Sequence, residues 1–295
     1  MFFIADIAVP EAVSQAVQAG EVAKTAGDDL PMAAVPLFHI GSLAVTNSAL
    51  ISYLVAAILI VVSQLAMRKA TLYPGALQNF VEWLVESLNQ FLESILGAVL
   101  SKKTSWFFAS IFIFILVSNW IALVPGVATI GMGYGNGPLH FKVTEPFIRG
   151  VNADVNMTLA MSAIFFWLWI IWTLQANGIG GTFHHIFGTK GDQKGILGTI
   201  FAVVFFIVGF SEVITILVRP VALTFRLYGN IYGGEVLMEK TMTAVPALSW
   251  LIPVPVYFFE LLVGLIQALV FFILTAVFTG LICRHDDSQG KEPQH

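Results

Sequence analysis

The sequence predicts an all-α fold: a polytopic transmembrane helical protein of about five crossings, with long tilted helices in its C-terminal half. Three observations carry this. Only 11% of the 295 residues are charged, against about 25% in a soluble domain, and a surface so poor in charge does not stay in water. Hydrophobic residues make up 57% of the chain and the mean hydropathy is +0.85. Four apolar runs, Leu50 to Ala66, Thr104 to Val124, Met157 to Leu174 and Val256 to Ile282, approach or exceed the roughly 20 residues that a helix needs to span a bilayer. The chain therefore reads as one membrane domain (1–295), with an extracytoplasmic segment (1–48), a transmembrane bundle (49–283) and a cytoplasmic tail (284–295).

Taken in order, residues 1–48 hold one basic residue, Lys24, against Asp6, Glu11, Glu21, Asp28 and Asp29. The start, Met1 to Pro10, lacks the basic region of a secretory signal. Arg68 and Lys69 follow the first span, and Lys102 and Lys103 precede the second. Between them, Phe80, Leu84, Leu88, Phe91, Ile95 and Val99 recur at helical spacing, with Glu82, Glu86 and Glu93 on another side. This predicts an amphipathic helix from Pro74 to Leu100 that lies at the interface or packs on the bundle. The Gly-rich connection from Pro125 to Asp154 faces outward. Lys190 and Lys194 follow the third span, and Arg284 and Lys291 follow the last. Because cytoplasmic connections are enriched in Lys and Arg, the N-terminus is expected outside and the C-terminus inside, with five crossings. The region from Ile196 to Ala244 is too long for one upright crossing at about 1.5 Å per residue. Its length alone fits either a hairpin or one steeply tilted helix; the charge pattern needs one net crossing and favours the tilted helix. No internal repeat is present.

Ionisable groups inside membrane segments are rare and usually functional. Between 196 and 282 the chain places Glu212, Arg219, Arg226, Glu235 and Glu260. Ala222, Arg226, Asn230 and Gly233 share one helical face. Apart from Arg226 that face is small or neutral, so a second surface can approach it closely. Glu212 and Arg219 stay within about 40° of it, whereas Glu235 points about half a turn away. Glu260 and Gln267, seven apart, share a face of the last span, and an antiparallel arrangement would set Gln267 beside Arg226 and Glu260 beside Glu235. Two close carboxylates cannot both ionise cheaply, so such a pair holds and releases a proton. A guanidinium keeps its proton, which makes Arg226 a fixed cation rather than a relay. A purely structural ion pair to Glu212 or Glu235 is the plainer account of Arg226. His184 and His185 are adjacent, not spaced as metal ligands, and Trp167, Trp169 and Trp172 read as core or interface anchors. No metal, cofactor or nucleic-acid site is expected, and Cys283 reads as inert.

The stretch Arg219-Pro-Val-Ala-Leu-Thr-Phe-Arg-Leu-Tyr-Gly-Asn-Ile-Tyr-Gly-Gly-Glu235 closely resembles the signature of subunit a of F-type ATP synthases. Ala153-Asp-Val-Asn-Met-Thr-Leu159, Asn119 through Pro125 and Leu265-Ile-Gln-Ala-Leu269 resemble further motifs of that family, in the same order. The likeness covers about residues 40 to 282. It implies a non-catalytic subunit of the membrane sector that couples proton flow to rotation. In that family the residue matching Arg226 faces a rotating c-ring, the residues matching Asn230, Glu235 and Gln267 line the proton path, and Glu212 matches an acidic residue on the cytoplasmic side. The implied partners are the c-ring, the subunit b peripheral stalk, membrane lipid and protons. Two departures stand out: Ala222 where the family often has Ser, and Glu260 where some members have His. An ion-coupled transporter would need a substrate cavity and usually repeated halves, and an intramembrane hydrolase would need a nucleophile or metal set at helical spacing.

Overall fold

The computed structural model describes residues 36–40, 43–68, 71, 73–124, 131–134, 142–146, 149–187, 196–244, 251 and 253–283. Residues up to 35, the connection holding Lys190 and Lys194, and the tail from 284 lie outside the described residues, as do the side chains of His184 and His185. Six helices dominate: α1 (Asn47–Met67), α2 (Ala76–Leu96), α3 (Ala98–Ala122), α4 (Val155–Phe187), α5 (Ile196–Ala244) and α6 (Pro253–Cys283). All but α2 are long and apolar enough to cross a membrane. Two short antiparallel hairpins accompany them, β1 (Pro36–Ile40) with β2 (Leu43–Thr46) and β3 (Gly131–Tyr134) with β4 (Lys142–Pro146). Strands of four or five residues are too short to show a clear alternation, so the sequence did not announce them.

The amphipathic helix ends earlier than its apolar pattern predicts. Gly97 takes φ 82°, a left-handed conformation that side-chain-bearing residues avoid, and its N–H bonds to the Glu93 carbonyl at 2.8 Å. That break closes α2 at Leu96 and hands Val99 to α3. Leu92 and Leu96 bury themselves in the core while Phe80 and Trp83 stay exposed, so the second half of α2 is the part that joins the apolar core.

The core is an aromatic cluster. Phe107, Phe108 and Phe112 of α3, Phe165, Trp169 and Trp172 of α4, and Phe271 and Phe272 of α6 pack together. Phe108 stacks on Trp172 with centroids 5.9 Å apart and meets Phe272 edge-on at 5.8 Å, within the range where such pairs gain beyond area burial. On α6 the buried positions Gly264, Gln267, Ala268, Phe271, Phe272, Thr275, Ala276 and Thr279 form one helical stripe. Gly264 and Gly280 bring backbones close: a Cβ there would sit 3.1 Å from Asn119 Cβ and 3.2 Å from Leu96 Cδ2, the small-residue packing that membrane helices favour. Many polar side chains within these helices bond to helix carbonyls, partners that lipid does not supply. Thr104, Thr275 and Thr279 donate to carbonyls four residues earlier. Four side chains donate across to α6 carbonyls: Asn119 to Gly264 at 3.0 Å, Trp120 to Leu261 at 3.3 Å, Trp169 to Phe278 at 3.3 Å and Asn177 to Ile282 at 3.1 Å.

Residues 196–244 form one uninterrupted helix, with Pro220 inside it. Forty-nine residues extend about 70 Å at about 1.5 Å per residue, more than twice the roughly 30 Å hydrocarbon layer. Even its apolar part, Phe206–Met238, is too long to stand upright, so α5 crosses once and obliquely. It packs along α4, with the Ser162 and Thr224 hydroxyls hydrogen-bonded at the contact.

Candidate functional site

The packing of α5 fixes which of its residues face away from the bundle. Leu223, Thr224, Leu227 and Tyr228 are buried. Their turnwise neighbours Ala222, Phe225, Arg226, Gly229 and Gly233 are exposed on the other side, with Asn230 half-buried beside them. The small-residue face read from spacing is therefore the open face of the helix. Arg226 forms no hydrogen bond or ion pair with any described residue, Gln267 included. Gln267 is buried on the inner stripe of α6, turned into the bundle.

Arg219 and Glu212, nearer the other end of α5, are half-buried and are not ion-paired to each other. The Arg219 guanidinium lies over the Phe278 ring, 4.4 Å from its centroid, close enough for a cation–π attraction.

A second polar cluster forms where α5, α6 and the turn before α4 meet. Its centre is Arg149, absent from the sequence-based list of candidates and 1% exposed in its side chain. Arg149 Nη2 and Nε both donate to Glu235 Oε2, at 3.1 and 3.3 Å, and the guanidinium lies 5.9 Å from the Tyr232 ring centroid. Breaking a buried ion pair on one side costs about 3–5 kcal/mol, so this contact also ties the turn to α5. Gly150 permits the close approach: a Cβ there would meet Ala122 Cβ at 2.8 Å and Glu235 Oε1 at 3.5 Å. The turn continues as a 3₁₀ segment, Val151–Ala153, into Asp154, whose Oδ1 accepts from the Asn156 N–H at 2.9 Å and so caps α4. Asn152 donates to Asn119 Oδ1 at 2.6 Å, while Asn119 donates to the Gly264 carbonyl. This chain of bonds joins the turn to α3 and α6.

Glu260 of α6 completes the cluster. Its carboxyl lies against the backbone of Gly234, where a Cβ would come within 2.6 Å of Glu260 Cδ. It sits near enough to Glu235 for the two carboxyl groups to interact electrostatically. Glu260 Oε1 is buried without a hydrogen-bond partner among the described residues. Tyr228 and Tyr232 stack at 5.5 Å, and Tyr228 is within electrostatic range of Arg149, Glu235 and Asp154. The structure thus brings Glu235 and Glu260 together and leaves Arg226 and Gly233 on the open face. The sequence signal for Arg149 was available: it is a basic residue in a connection read as outward, next to the Ala153–Leu159 motif.

These features define a class: a multi-pass helical membrane protein with a paired-carboxylate cluster in its interior and an arginine on an open helix face. The chain belongs to the ATP synthase A chain family, whose model matches residues 49–280. The ATP synthase subunit a of Gloeobacter violaceus is 31% identical over 85% of this chain and 89% of its own length. The corresponding subunits of Trichlorobacter lovleyi (30% identical; 82% of this chain, 89% of its own) and Psychrobacter arcticus (32%; 70% and 72%) are similar in the same way.

Proposed function

We propose that this chain is the proton-channel stator subunit of the membrane sector of an F-type ATP synthase. It sits in a bacterial inner membrane with its N-terminus in the periplasm and its C-terminus in the cytoplasm. It is not itself a catalyst of covalent chemistry. The observation that carries the reading is Arg226: a cation on the open face of α5, flanked by small residues, with no counter-charge among the described residues. A charge at mid-bilayer costs from about 2.5 to more than 10 kcal/mol, so it calls for a partner of opposite sign from outside the chain. A carboxylate on a rotating c-ring meets that requirement, and the Ala222–Gly233 face lets the ring approach closely. Protons then reach the ring from the periplasm through a half-channel lined by Asn230, Glu235, Glu260 and Gln267, and leave to the cytoplasm near Glu212. Arg226 separates the two half-channels. It draws in the deprotonated ring carboxylate, since Coulomb attraction is strong at low dielectric. The membrane potential supplies about 2.3 kcal/mol per charge per 100 mV, which stepwise transfer converts into rotation. The subunit b peripheral stalk holds the stator still against the ring.

The test is Arg226→Ala in the assembled complex. Proton-driven ATP synthesis is expected to vanish while the subunits still co-purify. Substantial remaining synthesis, or recovery of the chain as a lone monomer that binds a small substrate, overturns the assignment.

A further inference from the structure

We infer that Arg149 is the positioning residue of the carboxylate pair: its buried ion pair holds Glu235 as an anion and leaves Glu260 as the group that takes up and releases the proton. The inference rests on the proton-conducting reading above and divides the labour within it. Arg149 is 1% exposed and gives two hydrogen bonds to one Glu235 oxygen. A guanidinium does not release its proton, so Arg149 cannot be a carrier. A carboxylate bonded to it loses that charge-assisted pairing when protonated.

Glu260 has no such partner among the described residues: its Oε1 is buried and unpartnered there, and its carboxyl lies against Gly234, next in the chain to Glu235. Among the described residues, the groups around the pair are Asp154 from the start of α4, Tyr228 and Tyr232 from α5, and Arg149 from the turn. Of these only Arg149 is cationic, and its guanidinium bonds to Glu235. The proton step is a transfer from hydronium in the access path to the Glu260 carboxylate: one O–H bond of hydronium breaks to leave water, one O–H bond forms at Oε1, and the reverse exchange releases the proton to the next acceptor along the path. Arg149, by pairing with Glu235, leaves Glu260 as the carboxyl group free to carry the proton.

The experiment uses the intact complex in membranes and a hydrophobic carbodiimide, which adds only to protonated carboxyl groups, with the labelled peptides identified by mass spectrometry at pH 7. In the wild type, Glu260 is labelled and Glu235 is not. Arg149→Gln exposes Glu235 to labelling, with a rise of about tenfold to a thousandfold, the protonation change expected on removing an adjacent guanidinium. Arg149→Lys, which keeps the charge, leaves Glu235 unlabelled; a residue needed only for packing would not show that rescue. Arg226→Ala leaves the Glu235 and Glu260 pattern as in the wild type, so failure of the stator reading and failure of this inference are told apart. Equal labelling of both glutamates in the wild type, or an unchanged pattern in Arg149→Gln, overturns the inference. If Arg149→Gln alone does not assemble, the double variant Arg149→Gln/Glu235→Gln removes both charges together and decides. Its assembly with Glu260 labelled supports the charge role, and its failure to assemble, or loss of Glu260 labelling, refutes it.

Discussion

Adding one methyl group at Gly234 is expected to disable proton transfer while leaving the protein folded. A Cβ at that position lies 2.6 Å from Glu260 Cδ and closer still to its Oε1, and ordinary contact begins at 3.4 Å, so the carboxyl group must retreat by about 1 Å. Glu260 does so by rotating its flexible side chain, at about 0.5–1.5 kcal/mol for an off-rotamer torsion. Replacing a helix-interior Gly by Ala returns roughly 1 kcal/mol. The two terms nearly cancel, so Gly234→Ala assembles normally. Function responds differently, because a displacement of about 1 Å at a reacting group costs up to about 100-fold in rate. Proton-driven ATP synthesis in reconstituted vesicles, normalised to the amount of assembled complex, is therefore expected to fall between about tenfold and 100-fold.

A compensating change sharpens the test. Glu260→Asp withdraws the carboxyl by about one C–C bond, roughly 1.5 Å, more than the methyl group demands. The double variant Gly234→Ala/Glu260→Asp is expected to work better than the product of the two single losses, the signature of residues in direct contact. Full activity in Gly234→Ala, or strict multiplication of the two effects in the double variant, refutes the proposed dependence on carboxyl position.

Two other substitutions separate chemistry from architecture. Glu260→Gln removes the carboxyl that carries the proton and is expected to lower the rate of proton transport at least as far as Gly234→Ala does, and a rate equal to the wild type removes Glu260 from the path. Asn119→Ala deletes the bonds to Gly264 and Asn152 and leaves the buried Asn152 amide unpaired, at about 1–3 kcal/mol. A lowered unfolding midpoint in detergent is expected, and a midpoint equal to the wild type shows that the three-element clamp contributes nothing.

The parts of this architecture visible in the sequence are those that repeat within one helix. Apolar runs of sufficient length announce the spans, and Ala222, Arg226 and Gly233 reveal their common face because a single helical period sets it. Charge placement chose correctly between a hairpin and one oblique helix for 196–244, where length alone could not. What escaped depends on tertiary packing. The apolar stripe of α2 runs through Val99 without a gap, yet one left-handed glycine cuts it at Leu96. The spacing that set Gln267 beside Arg226 treated two helices as free to rotate, whereas Leu223 and Leu227 of α5 and Phe271 of α6 pin both helices by their buried faces. Arg149 finds Glu235 across 86 residues of chain, a distance over which no periodicity speaks.

Arg149 and Arg226 are the same side chain in the same apolar surroundings, and the structure separates them by where the counter-charge comes from. For Arg149 it comes from within the chain, held by a glycine turn that has no room for a side chain beside it. That charge is neutralised permanently and can only bias its neighbours. Arg226 projects from a face built of small residues, so its counter-charge must arrive from elsewhere and can also depart. A fixed pair suits a group that sets the protonation of a glutamate, and an open cation suits a group that meets successive carboxylates. Exchanging the two environments, by burying Arg226 or unpairing Arg149, would abolish both functions without altering the number of charges in the membrane.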